Sequence, residues 1–145
     1  MGTTYTKCFD QIMKSILVEC LIQLPNSNQT SEEKQSALWD TGANITCIST
    51  RLAKKLQLKA SDEAIISVAN NRLFRAGIFY VQLRVGDFTI PLIKVLGIPM
   101  DESKDVIVGM DVSSKGDLAI TNYNGKTVIS FREPSEESIV FSDRQ

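Results

Sequence analysis

The sequence predicts an all-β domain, either closed into a barrel or arranged as a sandwich, with one clear helix. Short segments rich in Ile, Leu, Val, Phe and Tyr recur along the chain, and turn-forming residues separate them. Only one segment has the apolar spacing that is typical of a helix. Strand and helix patterns do not alternate, which argues against a parallel α/β sheet. The 145 residues are predicted to form one domain, residues 1–145.

The first half of the chain contains the predicted helix and three extended segments. Residues 14–24 are dense in aliphatic side chains and end at a proline, so they are predicted to form a strand. A polar stretch at 25–36 predicts a loop, which leads into a short strand at 36–40. Residues 45–48 are again apolar and predicted to be extended.

The one clear helix is predicted over residues 50–56, because Ser49 is a suitable N-cap. Its apolar face consists of Leu52, Ala53 and Leu56. The residues outside that face, which are expected to be solvated, are Arg51, Lys54 and Lys55.

The second half of the chain is predicted to consist of strands joined by turns. Three dipeptides mark turns, since Asn and Gly tolerate a positive φ: Asn70-Asn71, Gly86-Asp87 and Asn124-Gly125. A charged loop is predicted at 97–105, and residues 132–145 form a polar, acidic tail with a small apolar patch at 139–141. The predicted strands are 64–69, 73–85, 88–96, 106–108, 118–121 and 127–131.

Composition excludes several classes of function. The net charge of −1 gives no general attraction to nucleic acid, and no segment is long and apolar enough to span a membrane. The chain has no histidine, so it can form neither a Ser-His-Asp site nor a histidine-ligated metal site. Three cysteines without CxxC spacing argue against zinc and against a disulfide framework. We therefore expect no metal, no cofactor and, without a secretory signal, a cytoplasmic location.

The most informative stretch is residues 37–43, in which Asp40, Thr41, Gly42 and Ala43 follow an apolar strand. A carboxylate at the end of a buried strand is costly unless the fold gains something from it, and catalysis is such a gain. Asp, Thr and Gly also suit an ordinary turn, so the motif taken alone is compatible with a purely structural role.

The Asp-Thr-Gly-Ala string resembles the active-site motif of retropepsin-like aspartic proteases in their free-standing, single-domain form. A second motif strengthens the resemblance: residues 106–111, Val-Ile-Val-Gly-Met-Asp, are similar to the apolar-Gly element of that family. The resemblance covers about residues 14–131. It implies a closed acid-protease barrel, with the main helix near 50–56 and a hairpin, the flap, near 64–80.

The resemblance also implies the roles of individual residues. Asp40 is the expected catalytic residue, and Thr41, Gly42 and Ala43 form the active-site loop around it. Trp39 is bulkier than the aliphatic residue usual before the aspartate. The residues expected to bind substrate in the flap and cleft are Ala69, Asn70, Asn71, Arg72 and Ile107. Those expected to brace the catalytic loop are Val108, Gly109 and Asp111.

The chain contains one Asp-Thr-Gly sequence, whereas aspartic proteolysis needs two facing carboxylates. The second carboxylate is therefore expected from a second copy in a C₂ homodimer. The predicted function is hydrolysis of peptide bonds in a peptide or protein substrate. The alternative is a catalytically silent peptide-binding or dimerisation module on the same fold, because the predicted flap tip has no glycine and a fold does not guarantee activity.

Overall fold

A computed structural model describes residues 2–26 and 33–142 of the chain. This part contains ten β-strands and two short α-helices, and none of its helices could cross a membrane. The helices are α1 (Thr50–Lys55) and α2 (Met110–Ser113). The strands are β1 (Thr3–Cys8), β2 (Leu17–Gln23), β3 (Gln35–Trp39), β4 (Cys47–Ser49), β5 (Asp62–Val68), β6 (Arg72–Val85), β7 (Phe88–Ile98), β8 (Val106–Val108), β9 (Asp117–Thr121) and β10 (Val128–Glu133).

Six of the strands form a closed barrel in the order β2-β3-β8-β4-β7-β6, because β6 pairs back onto β2. The β3–β8 and β4–β7 pairs are parallel, and the other pairs of the ring are antiparallel. Strand β5 extends the sheet beyond the ring by pairing with β6. The predicted all-β fold is confirmed, and the ring closes it as a barrel.

A second, three-stranded antiparallel sheet has the order β1-β10-β9. Phe131 of β10 joins it to the barrel, with its ring centroid 5.3 Å from that of Trp39 and 5.2 Å from that of Phe88. Strand β1 was not predicted. Its alternating threonines and half-exposed pattern lack the aliphatic density that identified the other strands.

Helix α1 is where the sequence predicts it. The Ser49 hydroxyl accepts a hydrogen bond from the Leu52 amide at 2.9 Å, which is the geometry of an N-cap. Leu52 and Ala53 are buried in the main core, and the helix ends one residue earlier than predicted, at Lys55.

Several element boundaries differ from the prediction. Gln35, assigned to the polar loop, lies in β3, where its side chain accepts a hydrogen bond from the Ile22 amide at 2.9 Å. Residues 27–32 of that predicted loop lie outside the described residues. Strand β10 extends to Glu133, and the tail then turns across the start of β9. There the Asp117 carboxylate accepts hydrogen bonds from the backbone amides of Glu136 and Glu137. The predicted turn between β9 and β10 is present, with positive φ at Asn124 and Gly125.

Candidate active site

Asp40 follows directly after β3, which lies between β2 and β8 in the barrel. The side chain before it, Trp39, is 5 % exposed, and its indole N–H donates to the Ser113 hydroxyl in α2 at 2.8 Å. The Asp40 amide donates to the carbonyl oxygen of Val108 at the end of β8, at 2.9 Å. The strand end is thus fixed by β8 and α2, while the Asp40 side chain remains partly exposed.

The Asp40 carboxylate is held at one oxygen. The Gly42 amide donates to its Oδ1 at 2.8 Å, and in the described residues its Oδ2 has no protein partner. A Cβ at position 42 would lie 3.2 Å from that same Oδ1, so glycine allows the close approach. Thr41 is exposed, and within the described part its hydroxyl is also unpaired. The loop therefore presents one free carboxylate oxygen and one free hydroxyl.

The segment after β8 holds the far side of this loop. The Met110 amide donates to the Ala43 carbonyl at 2.8 Å, and the Asp111 amide donates to the Asn44 carbonyl at 3.2 Å. Gly109 packs closely beneath the loop, since a Cβ there would lie 2.9 Å from the carbonyl carbon of Ile45.

Side chains reinforce that attachment. The carboxylate of Asp111 accepts the Thr46 amide at 3.0 Å and the Thr46 hydroxyl at 2.7 Å. The Thr46 hydroxyl in turn accepts the Gly109 amide at 3.1 Å. Thr46 is fully buried, and sequence reasoning did not single it out. The only available signal was a hydroxyl residue within the apolar run at 45–48.

Strands β5 and β6 form the hairpin expected to be the flap. Val68 pairs with Arg72, and the 3-10 turn Ala69–Asn71 connects the strands. Both asparagines have positive φ, +67° at Asn70 and +56° at Asn71, so they make the reversal without glycine. Four of the predicted substrate-binding residues thus lie together at the hairpin end.

The fifth predicted residue, Ile107, lies in β8 opposite Cys47 of β4. It belongs to an apolar cluster between that part of the barrel and the hairpin, hereafter the cleft cluster. Ile66 and Phe74, which are cross-strand partners, are among the hairpin residues that contribute to it. The cleft cluster consists of Cys47, Ala64, Ile66, Phe74, Ala76, Ile78, Leu96, Ile98, Met100 and Ile107.

Strand alternation places Arg72 on the hairpin face that carries Ile66 and Phe74. The structure therefore brings Ile107 and the hairpin's inner face to one side of the barrel, adjoining the strand end that carries Asp40.

The Cys47 thiol in the cleft cluster has a raised pKa. Burial, with a smaller contribution from the nearby Asp111 charge, raises its pKa to about 11, so the thiol stays protonated at neutral pH. Among residues 2–26 and 33–142, no group of three or more Cys, Asp or Glu side chains is arranged to hold a metal ion.

A family model described as aspartyl protease matches residues 28–112. A retropepsin-like aspartic protease from Rickettsia conorii superposes with a TM-score of 0.55 at 13 % identity, covering 92 % of this chain and 96 % of that one. This similarity shows a shared fold. No curated protein sequence matches.

Two viral proteases have lower TM-scores. The simian foamy virus protease has a TM-score of 0.47 at 19 % identity, covering 66 % of this chain and 89 % of its own. EIAV protease in complex with the inhibitor HBY-793 has a TM-score of 0.49 at 17 % identity, covering 70 % and 86 %.

Proposed function

Because the chain belongs to the aspartyl protease family, we propose that it is an endopeptidase in which two copies each contribute Asp40 to one active site. The observation that carries the proposal is the Asp40 loop itself. Its carboxylate is fixed at Oδ1 by the Gly42 amide, has no partner at Oδ2 among the described residues, and occurs in the chain's single Asp-Thr-Gly sequence.

The chemistry needs both copies. Two carboxylates that face each other around one water cannot both be ionised, so they share a proton. The ionised member takes a proton from the water as it attacks the peptide carbonyl, and the protonated member donates to the carbonyl oxygen. Hydrolysis then consumes one water and yields a new carboxyl and a new amino terminus.

The surface around Asp40 supports assembly of two copies. Thr41 and Gly42 are exposed, and in the described residues the Thr41 hydroxyl has no partner within the chain. A C₂ axis beside this loop would place Thr41 of one copy near Thr41 of the other. The two loops could then form hydrogen bonds to each other. Val108, Gly109 and Asp111 would brace each half, through the hydrogen bonds described above.

An extended peptide is the proposed substrate. The hairpin tip, where Asn70, Asn71 and Arg72 are exposed, could pair through its backbone with a peptide main chain, as in β-augmentation. The cleft cluster, with Ile107, offers apolar surface for substrate side chains.

The test is digestion of a peptide library by the wild type and by Asp40→Asn, across acidic to neutral pH. We expect the variant to lose roughly 10³-fold or more in kcat, since it removes a reacting carboxylate. Asp87→Asn is the matched control, because Asp87 is an exposed aspartate on the β6–β7 turn. Cleavage that persists unchanged in Asp40→Asn would overturn the proposal, as would full activity from a strictly monomeric protein.

A second candidate is a peptide-binding module without turnover. The observation that favours it is the hairpin tip, where two asparagines stand in place of the glycines that make such tips mobile. It predicts that peptides bind to the wild type and to Asp40→Asn equally, with no cleavage by either.

A further inference from the structure

Arg51, the second residue of α1, lies on the exposed helix face that the sequence predicts, and its side chain is 47 % exposed, but its guanidinium is fully engaged in hydrogen bonds. Its guanidinium reaches across to the loop between β7 and β8. Nη2 donates to the carbonyl oxygens of Asp101 at 3.1 Å and Lys104 at 3.2 Å, and Nη1 donates to that of Met100 at 3.4 Å. The carboxylate of Asp105 accepts from Nη2 at 2.7 Å and from Nε at 3.1 Å.

This arrangement depends on the chemistry of arginine. Three carbonyl oxygens and one carboxylate converge on a single planar group with five donors in a fixed fork. Lysine has three donors on one rotatable nitrogen and cannot match that geometry. The contact is therefore a shaped attachment of the loop and more than a surface ion pair.

The loop has its own internal shape, which Arg51 does not create. The Asp101 carboxylate accepts hydrogen bonds from the amide and the hydroxyl of Ser103 and from Lys104. The hydrogen bonds from Ser103, more than the Lys104 charge, lower the pKa of Asp101 to about 2. The Asp101 carboxylate is therefore ionised at neutral pH. Arg51 attaches a preformed turn to α1.

The two ends of the loop are held differently. At the β8 end, the Asp105 amide donates to the Ser36 carbonyl at 2.9 Å, and its carboxylate accepts the Ser49 hydroxyl at 2.7 Å. That end stays fixed without Arg51. At the other end the chain leaves β7 at Ile98, and among the described residues the bonds from the Arg51 guanidinium to the carbonyl oxygens of Met100 and Asp101 are what attach it to the body of the domain.

Met100 is the link to the proposed cleft. With Ile98, it packs against the cleft cluster, to which Ile107 and the hairpin residues Ile66 and Phe74 also belong. A shift of the loop would therefore move one apolar wall of the surface proposed to receive a substrate side chain.

We propose that Arg51 is a positioning residue, which sets the side-chain preference of the cleft by holding Met100 against the cleft cluster. This inference rests on the proposed function, since it assigns part of that function's specificity. Arg51 touches no reacting group, so its effect should fall on binding and selectivity more than on the chemical step.

The test uses Arg51→Gln and Arg51→Lys, with Lys54→Gln as the matched control on an exposed position of the same helix. Each is assayed on peptides that differ only in the size of one apolar side chain. For Arg51→Gln we expect a KM about tenfold higher on the preferred peptide, kcat within about threefold, and a flattened preference between large and small side chains. Arg51→Lys should lie between, and Lys54→Gln should match the wild type.

A purely structural role would lower the melting temperature of Arg51→Gln but leave the peptide preference of the folded protein unchanged, and that result would overturn the inference. If the wild type binds peptides without cleaving them, the same panel is measured as Kd, and the same flattening is expected. A wild type that neither binds nor cleaves the panel would overturn the proposed function together with this extension of it.

Hydrogen exchange tests the positioning role of Arg51 separately from the proposed function, because the measurement needs no enzymatic activity. In folded Arg51→Gln, the Ser103 amide, which donates to the Asp101 carboxylate, should exchange about tenfold faster than in the wild type, with the amides of α1 and β8 unchanged. Unchanged exchange in the loop would overturn the positioning role even if Asp40-dependent cleavage is found.

Discussion

The Asp40 loop and the β5–β6 hairpin are built in opposite ways, although both border the proposed cleft. Residues 40–46 bond to β8 and α2 through backbone groups and through the fully buried Thr46. The hairpin projects from the ring of the barrel, and within the described residues β5 pairs only with β6. Its outer face leaves Ile65 67 % and Leu73 75 % exposed.

The difference matches what each region would do. Catalytic groups act efficiently when their surroundings already hold them in place, so a carboxylate loop benefits from being fixed on several sides. A cover over a peptide must open to admit it, and segments with few buried contacts are the ones that open at low cost. Changes in the brace should therefore affect stability and turnover together, and changes in the hairpin should spare stability.

Among changes in the brace and the hairpin, the largest effect is expected for Gly109→Ala. An added Cβ would lie 2.9 Å from Ile45 backbone and 3.0 Å from the Ala43 carbonyl oxygen, so the loop must shift. We expect a loss of about 1–3 kcal/mol in stability and of about 100-fold in kcat/KM for a displaced carboxylate. Urea unfolding and peptide cleavage measure the two losses. Ser114→Ala, an exposed change just after α2, is the control, and equal behaviour of the two variants would contradict the brace.

Thr46→Val keeps the shape of the side chain and removes its hydroxyl, so we expect a similar loss of stability but, without a steric clash against the loop, a smaller loss of kcat/KM. The Gly109 amide then lacks its acceptor, and the Asp111 carboxylate loses one of its donors. Leaving such buried groups unpaired costs about 1–3 kcal/mol. Thr6→Val is the matched control, because the Thr6 hydroxyl bonds to Ser130 at an exposed site. Its unfolding free energy should stay within about 0.5 kcal/mol of wild type, and a similar loss in both variants would remove the distinction.

The sequence predicts those features of the two regions that depend on residues close together in the chain. The Ser49 cap, the paired asparagines of the hairpin and the Asp-Thr-Gly string each act within a few residues, so their chemistry is readable in order. The Thr46–Asp111 and Arg51–Asp105 contacts join residues 65 and 54 positions apart. They exist because β4 pairs with β8, which brings the residues flanking these two strands together, and a single sequence gives no signal for such a pairing. Strand β1 is similar, since its partner β10 lies at the other end of the chain.

The smallest effect concerns the cysteine beneath the hairpin. Cys47 belongs to the cleft cluster that the hairpin covers, whereas Cys20 lies in the main core and Cys8 is exposed. With a thiol reagent at pH 8, we expect Cys8 to react first, Cys47 slowly through hairpin opening, and Cys20 last. Mass spectrometry of the labelled protein over time would give the three rates.

Two neighbouring substitutions in the hairpin sharpen this order. Phe74→Ala removes a contact with the cleft cluster and should speed Cys47 labelling about fivefold, whereas Leu73→Ala, on the outer face, should not change it. Equal rates for Cys47 and Cys20 in all variants would mean that the hairpin opens no more readily than the core.

The raised pKa values of the two buried thiols determine the pH range in which the labelling rates can be interpreted. Burial raises the pKa of Cys47 to about 11 and that of Cys20 to about 12, above the ordinary value near 9. Because the folded pKa is the higher one, their contribution to stability is complete below pH 9 and is lost as pH rises through 11 to 12. Labelling at pH 8 therefore reports opening of the hairpin in the intact fold, whereas an increase in Cys20 labelling above pH 10 that exceeds the increase for exposed Cys8 would report loss of the core itself.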